Sequence, residues 1–314
     1  MIRPDDLVDP ELRAALALLP DLSGLSHLTL GEVRARLAGA PPRPSSDKLE
    51  VEEIRITAAA GQSDVGGLLY RPTGAGTRPA ILNLHGGGFV AGDARREDES
   101  MRKLALALDA VILSLDYRLA PETPFPGALD DGYAALGWLH DHSDRLGIDP
   151  SRIALRGVSA GGGIAAGLAL LARDRGGPGI AFMLLIYPML DDRTGPHAFA
   201  GRYVWPIEAN RFGWDCYLGD AAGTDAVSYY AAPARAQDLA GMPASFIAIG
   251  AIDLFIDEDL RFAQALIGAG VVTELHVYPG AYHGFPLITG AGVAARLERD
   301  ASEALSRALA PPSA

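Results

Sequence analysis

The sequence predicts an α/β fold with a mostly parallel sheet of about eight strands flanked by helices. Short apolar runs such as Ile153-Ala154-Leu155 alternate with helical patterns, which is typical of consecutive β-α-β units. The runs are continuously hydrophobic, as expected for parallel strands buried on both faces. Residues 191–235 interrupt the alternation with little strand character and many aromatic residues, which predicts a lid inserted after a strand end.

The first fifty residues are helical in pattern and differ from the rest of the chain. Apolar residues recur at helical spacing over residues 11–19 and 29–37. Thr29 is a candidate N-cap, with Glu32 three positions later as in a capping box. A stiff, polar stretch at residues 41–46 follows, so residues 1–50 are expected to form an appendage to the main domain.

From Val51 onward the hydrophobic period changes to that of strands. Strands are predicted at residues 51–57, 67–70, 80–84, 111–115, 152–156, 181–187, 245–249 and 274–278. The first two are expected to be antiparallel neighbours. Helices are predicted at residues 97–108, 129–146, 160–172, 258–266 and 294–309.

Bulk composition disfavours several classes of protein. The 314 residues carry a formal net charge of -12 without a basic run, which argues against a nucleic-acid partner. The single cysteine, Cys216, cannot form an internal disulfide and is expected as a half-buried thiol rather than a nucleophile. No apolar run is long enough to span a bilayer, and no secretory signal pattern opens the chain. We therefore expect a soluble, cytoplasmic protein.

The strongest chemical signal is the pentapeptide Gly157-Val158-Ser159-Ala160-Gly161. It follows a predicted strand and opens a predicted helix, which is the context required of a nucleophile elbow. The glycines two before and two after Ser159 leave room for the strained turn that would lift the hydroxyl above the sheet edge. Ser159 is therefore the predicted nucleophile.

A second signal, His85-Gly86-Gly87-Gly88, directly follows the strand predicted at residues 80–84. Such a glycine-rich backbone can turn its amides toward a developing oxyanion. We expect the oxyanion donors to be the amides of Gly87, Gly88 and Ala160, with His85 orienting the loop. A phosphate-binding P-loop is disfavoured, because no Lys-Ser/Thr follows the glycines.

The general base and its orienting acid are expected late in the chain. His283 lies past the last predicted strand and is followed by glycine, so its loop can reach across the top of the sheet. Two acids, Asp253 and Asp257, follow the strand at residues 245–249. Asp253 is assigned to the triad and Asp257 to capping the next helix. The order Ser, Asp, His is that of α/β-hydrolases.

With these residues the chain resembles the hormone-sensitive-lipase-like esterases, the bacterial family IV group of the α/β-hydrolase superfamily. The resemblance rests on the glycine loop, the extended elbow, His283-Gly284-Phe285, Asp253 with Asp257-Glu258, and residues 116–122, which read DYRLAPE. It implies an α/β-hydrolase domain at residues 51–190 and 236–314, with a cap formed by residues 1–50 and 191–235. It also implies hydrolysis of short-acyl esters without a cofactor or metal, and a possible homodimer.

Two positions depart from the family pattern, and other functions stay open. Val158 replaces the usual aspartate beside the nucleophile, and Leu254 replaces the usual proline after Asp253. An amidase or peptidase could use the same triad, and a non-catalytic ligand-binding protein could use the same fold. Aromatic residues expected to wall the substrate pocket are Phe89, Trp205, Phe212, Trp214 and Phe285.

Overall fold

A single eight-stranded sheet organises the part of the chain that the structure describes. The computed structural model describes residues 3–19, 22–57 and 64–311. The strands are β1 (Leu49–Ile56), β2 (Val65–Pro72), β3 (Arg78–Leu84), β4 (Val111–Asp116), β5 (Ile148–Val158), β6 (Phe182–Ile186), β7 (Ala244–Gly250) and β8 (Thr273–Tyr278). Their spatial order is β1-β2-β4-β3-β5-β6-β7-β8.

The sheet is mostly parallel, as the alternating pattern predicts. Strand β2 pairs antiparallel with both β1 and β4, and all later neighbours are parallel. Every residue of β3 and of β6 is buried, which explains why β6 and residues 79–82 of β3 read as apolar runs. Because β3, β5, β7 and β8 run in one direction, the loops that leave them meet at one edge of the sheet.

Helices cover the sheet. They are α1 (Pro10–Arg13), α2 (Leu30–Leu37), α3 (Asp98–Leu108), α4 (Gly127–Asp141), α5 (Ser143–Leu146), α6 (Ala160–Arg175), α7 (Ile207–Leu218), α8 (Ile256–Gly268) and α9 (Gly292–Ala308). The most enclosed is α6, which is buried from Ala160 through Ala172. It follows β5 directly and packs between the sheet and α4, so its first residue is held firmly at the sheet edge.

Two predicted helices differ from the structure. The helix expected at residues 11–19 is only the short α1 and a 3-10 turn at Leu16–Leu18, because its apolar residues do not share one buried face. Leu12 is fully buried, whereas Leu18 is 85% exposed. The helix expected at residues 129–146 is interrupted at His142, whose φ of -104° and ψ of 14° are not helical.

Of two predicted helix caps, one is confirmed in position and the other is wrong. Thr29 is the N-cap residue of α2, but its hydroxyl is directed at the carbonyls of Gly24 and Ser26 and forms no capping box with Glu32. Asp257 does not cap α8, because that helix already begins at Ile256. Asp257 instead lies exposed in the first turn, where its charge still offsets the helix dipole.

The region predicted as a cap insertion contributes α7 above the sheet edge. Gly213 of α7 lies so close to the glycine loop that a Cβ there would be 2.7 Å from the Gly88 carbonyl oxygen. Three aromatic residues of this region, Trp205, Trp214 and Tyr217, lie against Gly88 or Phe89 of the loop after β3. The exact division of the chain into a hydrolase domain and a cap stays a prediction.

Candidate active site

Ser159 lies on a sharp turn between β5 and α6. Its φ of 54° and ψ of -121° are strained for a residue with a side chain. The positions two before and two after Ser159 have no room for a side chain. A Cβ on Gly157 would lie 2.3 Å from the Gly161 carbonyl oxygen. A Cβ on Gly161 would lie 2.1 Å from the carbonyl oxygen of Leu84. The turn therefore holds the Ser159 hydroxyl at the sheet edge, at the N-terminus of a buried helix.

Three side chains from separate loops meet at this point. The Oγ of Ser159 lies 3.0 Å from Nε2 of His283, and Nδ1 of His283 lies 2.8 Å from Oδ2 of Asp253. All three residues are buried, with exposures of 5%, 6% and 0% for Ser159, His283 and Asp253. Because an ionised carboxylate only accepts hydrogen bonds, it fixes the proton on Nδ1 and leaves Nε2 free to take one from Ser159.

Asp253 is itself held in place by the backbone that follows it. Its Oδ1 accepts a hydrogen bond from the amide of Phe255 at 3.0 Å, which directs Oδ2 toward His283. Asp257 points to solvent from the first turn of α8 and has no place in this arrangement. The geometry thus brings to His283 the acid that the sequence analysis preferred, Asp253.

The glycine loop after β3 lies beside the nucleophile. A Cβ on Gly86 would approach the Ser159 Cβ to 3.3 Å. Gly87 and Gly88 have φ values of 134° and 61°, which residues with side chains rarely adopt. Among the described residues no hydrogen bond occupies the amides of Gly87 and Gly88. The loop can therefore offer both amides to an oxygen next to Ser159.

His85 and Tyr117 support the start of this loop. Their rings stack with centroids 4.2 Å apart, and the Tyr117 hydroxyl donates to the His85 carbonyl at 2.7 Å. Burial lowers the pKa of His85, so its imidazole is neutral at ordinary pH. Nδ1 of His85 lies 2.9 Å from the Gly86 carbonyl oxygen, within the loop itself.

The His283 imidazole is enclosed by aromatic rings that sequence reasoning largely missed. Tyr187 lies edge-on at 4.6 Å between ring centroids, and Phe255 lies perpendicular at 5.2 Å. Trp205 lies 6.4 Å away. A signal for Tyr187 was available, because it follows the apolar residues of β6 where other site residues also follow strand ends. The enclosure restricts access of water to the Ser159–His283 pair.

The five residues predicted to wall a substrate pocket lie in different surroundings. Trp205 covers the glycine loop, since a Cβ on Gly88 would lie 2.0 Å from its Cη2 atom. Phe89 and Trp214 are buried beside the same loop, with Phe89 4.9 Å from Trp214 between centroids. Phe212 packs against His27. Phe285 is fully buried and packs against Tyr187 and Tyr278. That any of the five contacts a substrate stays a prediction.

Two further acids behind the triad are buried. The Oε1 of Glu258 accepts from the Leu190 amide at 2.7 Å and so supports the chain just after β6. Both carboxylate oxygens of Asp259 lack a hydrogen-bond partner within the described part of the chain. Burial raises the pKa of each carboxyl well above its ordinary value. Burial therefore disfavours the charged form of both carboxyls.

Neither a metal cluster nor a membrane span is found in the parts of the chain that are described. Within residues 3–19, 22–57 and 64–311, no three His, Cys, Asp or Glu side chains converge as metal ligands. No helix in those ranges is long and apolar enough to cross a bilayer.

Comparison with known proteins places these features in a family. A family model described as alpha/beta hydrolase fold matches residues 81–287. Esterase LipI of Mycobacterium tuberculosis is 36% identical over 284 residues, which cover 88% of each chain. Carboxylesterase NlhH of the same organism is 35% identical over 291 residues, 90% of this chain and 89% of its own. A solved bacterial heroin esterase has a TM-score of 0.90 at 38% identity, covering 98% of this chain and 100% of its own.

Proposed function

This chain belongs to the alpha/beta-hydrolase fold family, among its hormone-sensitive-lipase-like esterases, and on that premise we propose that it cleaves short-acyl esters through an acyl-enzyme on Ser159. That it is a carboxylic ester hydrolase follows from its relatives. The acyl-enzyme, the roles of individual residues and the preference for short acyl chains are the proposal.

The observation that carries the proposal is the continuous relay from Ser159 through His283 to Asp253. Its two contacts, 3.0 Å and 2.8 Å, are both within hydrogen-bond reach. Both contacts join side chains that the fold buries at one edge of the sheet. In the proposed reaction His283 takes the hydroxyl proton of Ser159 as Oγ attacks the ester carbonyl. Asp253 stabilises the resulting imidazolium.

The glycine loop and the start of α6 supply the other half of the chemistry. Attack places negative charge on the carbonyl oxygen, and the amides of Gly87, Gly88 and Ala160 are proposed to donate hydrogen bonds to it. The alcohol then leaves with the proton held by His283. A water molecule, deprotonated by His283, attacks the acyl-enzyme and releases the acid.

The preference for short acyl chains is supported by the enclosure of the site. Ser159 is only 5% exposed, and the Trp205 ring lies against Gly88. A long acyl chain would have to displace this ring or the neighbouring cap residues, whereas an acetyl or butyryl group needs little space. We therefore expect catalytic efficiency to fall with chain length.

The test is hydrolysis of p-nitrophenyl esters from acetate to laurate by the wild type and by Ser159→Ala. We expect the highest kcat/KM with acetate or butyrate and a loss of turnover in the variant. An unchanged rate in Ser159→Ala would refute the assignment of the nucleophile. Highest efficiency with laurate would refute the short-acyl preference while leaving ester hydrolysis intact.

A further inference from the structure

We propose that Arg34, on the N-terminal helix α2, is a positioning residue that holds the oxyanion loop in its working shape. Arg34 lies far from the reacting atoms in sequence and contacts none of them. The inference rests on the proposed function, because it assigns Arg34 a part in the oxyanion stabilisation described above.

The guanidinium of Arg34 joins three segments of the chain. Its Nε donates to the Val90 carbonyl at 2.7 Å, and one Nη2 bond of 2.9 Å reaches the Ala120 carbonyl. Nη1 and Nη2 of Arg34 also donate to the two carboxylate oxygens of Glu122, with both N–O distances at 2.7 Å. Four hydrogen bonds are thus made by a side chain that is only 29% exposed.

The two carbonyls that Arg34 contacts belong to the frame of the glycine loop. The amides of Val90 and Ala91 donate back to the Gly87 carbonyl at 3.1 and 3.0 Å, which closes the turn that contains Gly88. The Ala120 amide donates to the Phe89 carbonyl at 3.0 Å. Arg34 therefore closes a ring of contacts that runs from Val90 through Phe89 to Ala120 and back.

This frame matters because the two glycines that carry the proposed donors place little intrinsic restraint on their own backbone. Gly87 and Gly88 have positive φ values, and glycine is the residue with the greatest backbone freedom. An oxyanion donor is effective only when its amide is preorganised at the position where charge develops. The Val90 amide is hydrogen-bonded to the Gly87 carbonyl. A small shift of Val90 would therefore move this turn and misdirect the amides proposed to bind the oxyanion.

Only an arginine can make this set of contacts. Its planar fork carries donors in fixed directions, whereas a lysine ammonium is a flexible point charge. The pair with Glu122 is largely solvent-exposed on the carboxylate side, at 62%, so it contributes little by itself. The two backbone carbonyls are the contacts that connect α2 to catalysis.

The experiment compares Arg34→Lys, Arg34→Ala and Glu122→Gln with the wild type. Arg36→Ala is the matched control, because Arg36 lies on the same helix with an exposed side chain. Two properties are measured: steady-state hydrolysis of p-nitrophenyl acetate, and labelling by a fluorophosphonate that reacts with an activated serine. The labelling endpoint counts folded active sites, and the labelling rate per site reports oxyanion stabilisation separately from folding.

We expect kcat and the labelling rate to fall together while KM changes less than about twofold, since the loop acts on the transition state. The loss should be on the order of 100-fold in Arg34→Ala, comparable to removal of one oxyanion donor. It should be about tenfold in Arg34→Lys, which keeps the charge but not the fork. Glu122→Gln should lose less than Arg34→Lys, and Arg36→Ala should match the wild type.

Other results would overturn the proposal in distinguishable ways. If Arg34→Ala lowers only the labelling endpoint, with a wild-type rate per labelled site, Arg34 stabilises the fold and does not position the loop. If the wild type is labelled but hydrolyses no ester, the proposed function fails while the labelling rates still decide the role of Arg34. If the wild type is not labelled at all, both proposals are wrong.

Discussion

Replacing Asp253 by asparagine should nearly abolish turnover without changing the shape of the site. The Oδ1 position accepts from the Phe255 amide at 3.0 Å, so the asparagine oxygen is expected to stay there. The new amide nitrogen then faces Nδ1 of His283, where Asp253 Oδ2 now lies at 2.8 Å. Because that nitrogen can only donate, Nδ1 must become an acceptor and the ring proton moves to Nε2.

The magnitude follows from this change of tautomer. With a proton on Nε2, His283 donates to Ser159 Oγ across the 3.0 Å contact and can no longer take the serine proton. Enforcing the wrong tautomer in a serine triad costs about 10⁴-fold in kcat, or roughly 5 kcal/mol of activation free energy. Binding should be almost unaffected, because no group that faces the substrate has changed.

The assay is the hydrolysis of p-nitrophenyl acetate near pH 7.5, with kcat and KM determined separately. Asp257→Asn is the matched control, since Asp257 is an exposed acid in the first turn of the next helix. Circular dichroism should show the same fold for both variants. A loss of less than tenfold in Asp253→Asn, or a larger loss in Asp257→Asn, would show that the relay has been assigned to the wrong carboxylate.

Three further perturbations have definite expected outcomes. Gly88→Ala should lower kcat by about 100-fold, because its Cβ would lie 2.0 Å from the Trp205 ring and displace the oxyanion amides; unchanged p-nitrophenyl acetate kinetics would contradict this. In the wild type, the raised pKa of Asp259 means that the folded state keeps a proton that the unfolded state loses. Its contribution to the free energy of unfolding therefore decreases as pH rises above the unfolded pKa of about 4. In urea titrations, the free energy of unfolding of Asp259→Asn should therefore rise relative to that of the wild type between pH 5 and pH 8. A difference that stays constant over this range would show that the fold does not raise the pKa of Asp259. Burial raises the pKa of Cys216 to about 11, so thiol reagents at pH 8 should leave esterase activity intact while a serine reagent removes it.

The chemistry of the site could be predicted where it depends on local sequence. A nucleophile elbow needs a strand, a turn with two small flanking residues and a helix, and all of these lie within a few positions of Ser159. His283 could be ranked first among the seven histidines because it follows the last strand and lies in a glycine-containing loop. The mostly parallel sheet was equally predictable, since burial on both faces leaves unbroken apolar runs.

Local sequence could not resolve features that depend on where a helix begins or on which face a side chain lies. The start of α8 at Ile256 decides that Asp253 reaches His283 and that Asp257 is exposed. The same helix buries Asp259, although its first turn holds three consecutive acids. Nothing in the pattern of residues 11–19 showed that Leu18 would be exposed.

The sequence by itself determined the fold class, the family resemblance and the choice of Ser159 and His283 as candidates, because each depends on residues close together in the chain. Only the tertiary structure showed that Asp253 lies beside Nδ1 of His283, which aromatic rings surround that imidazole, and that Arg34 contacts the Val90 carbonyl. The Arg34–Val90 contact spans 56 positions. Such contacts depend on how separate elements pack against one another, and a single sequence carries no local pattern that records that packing.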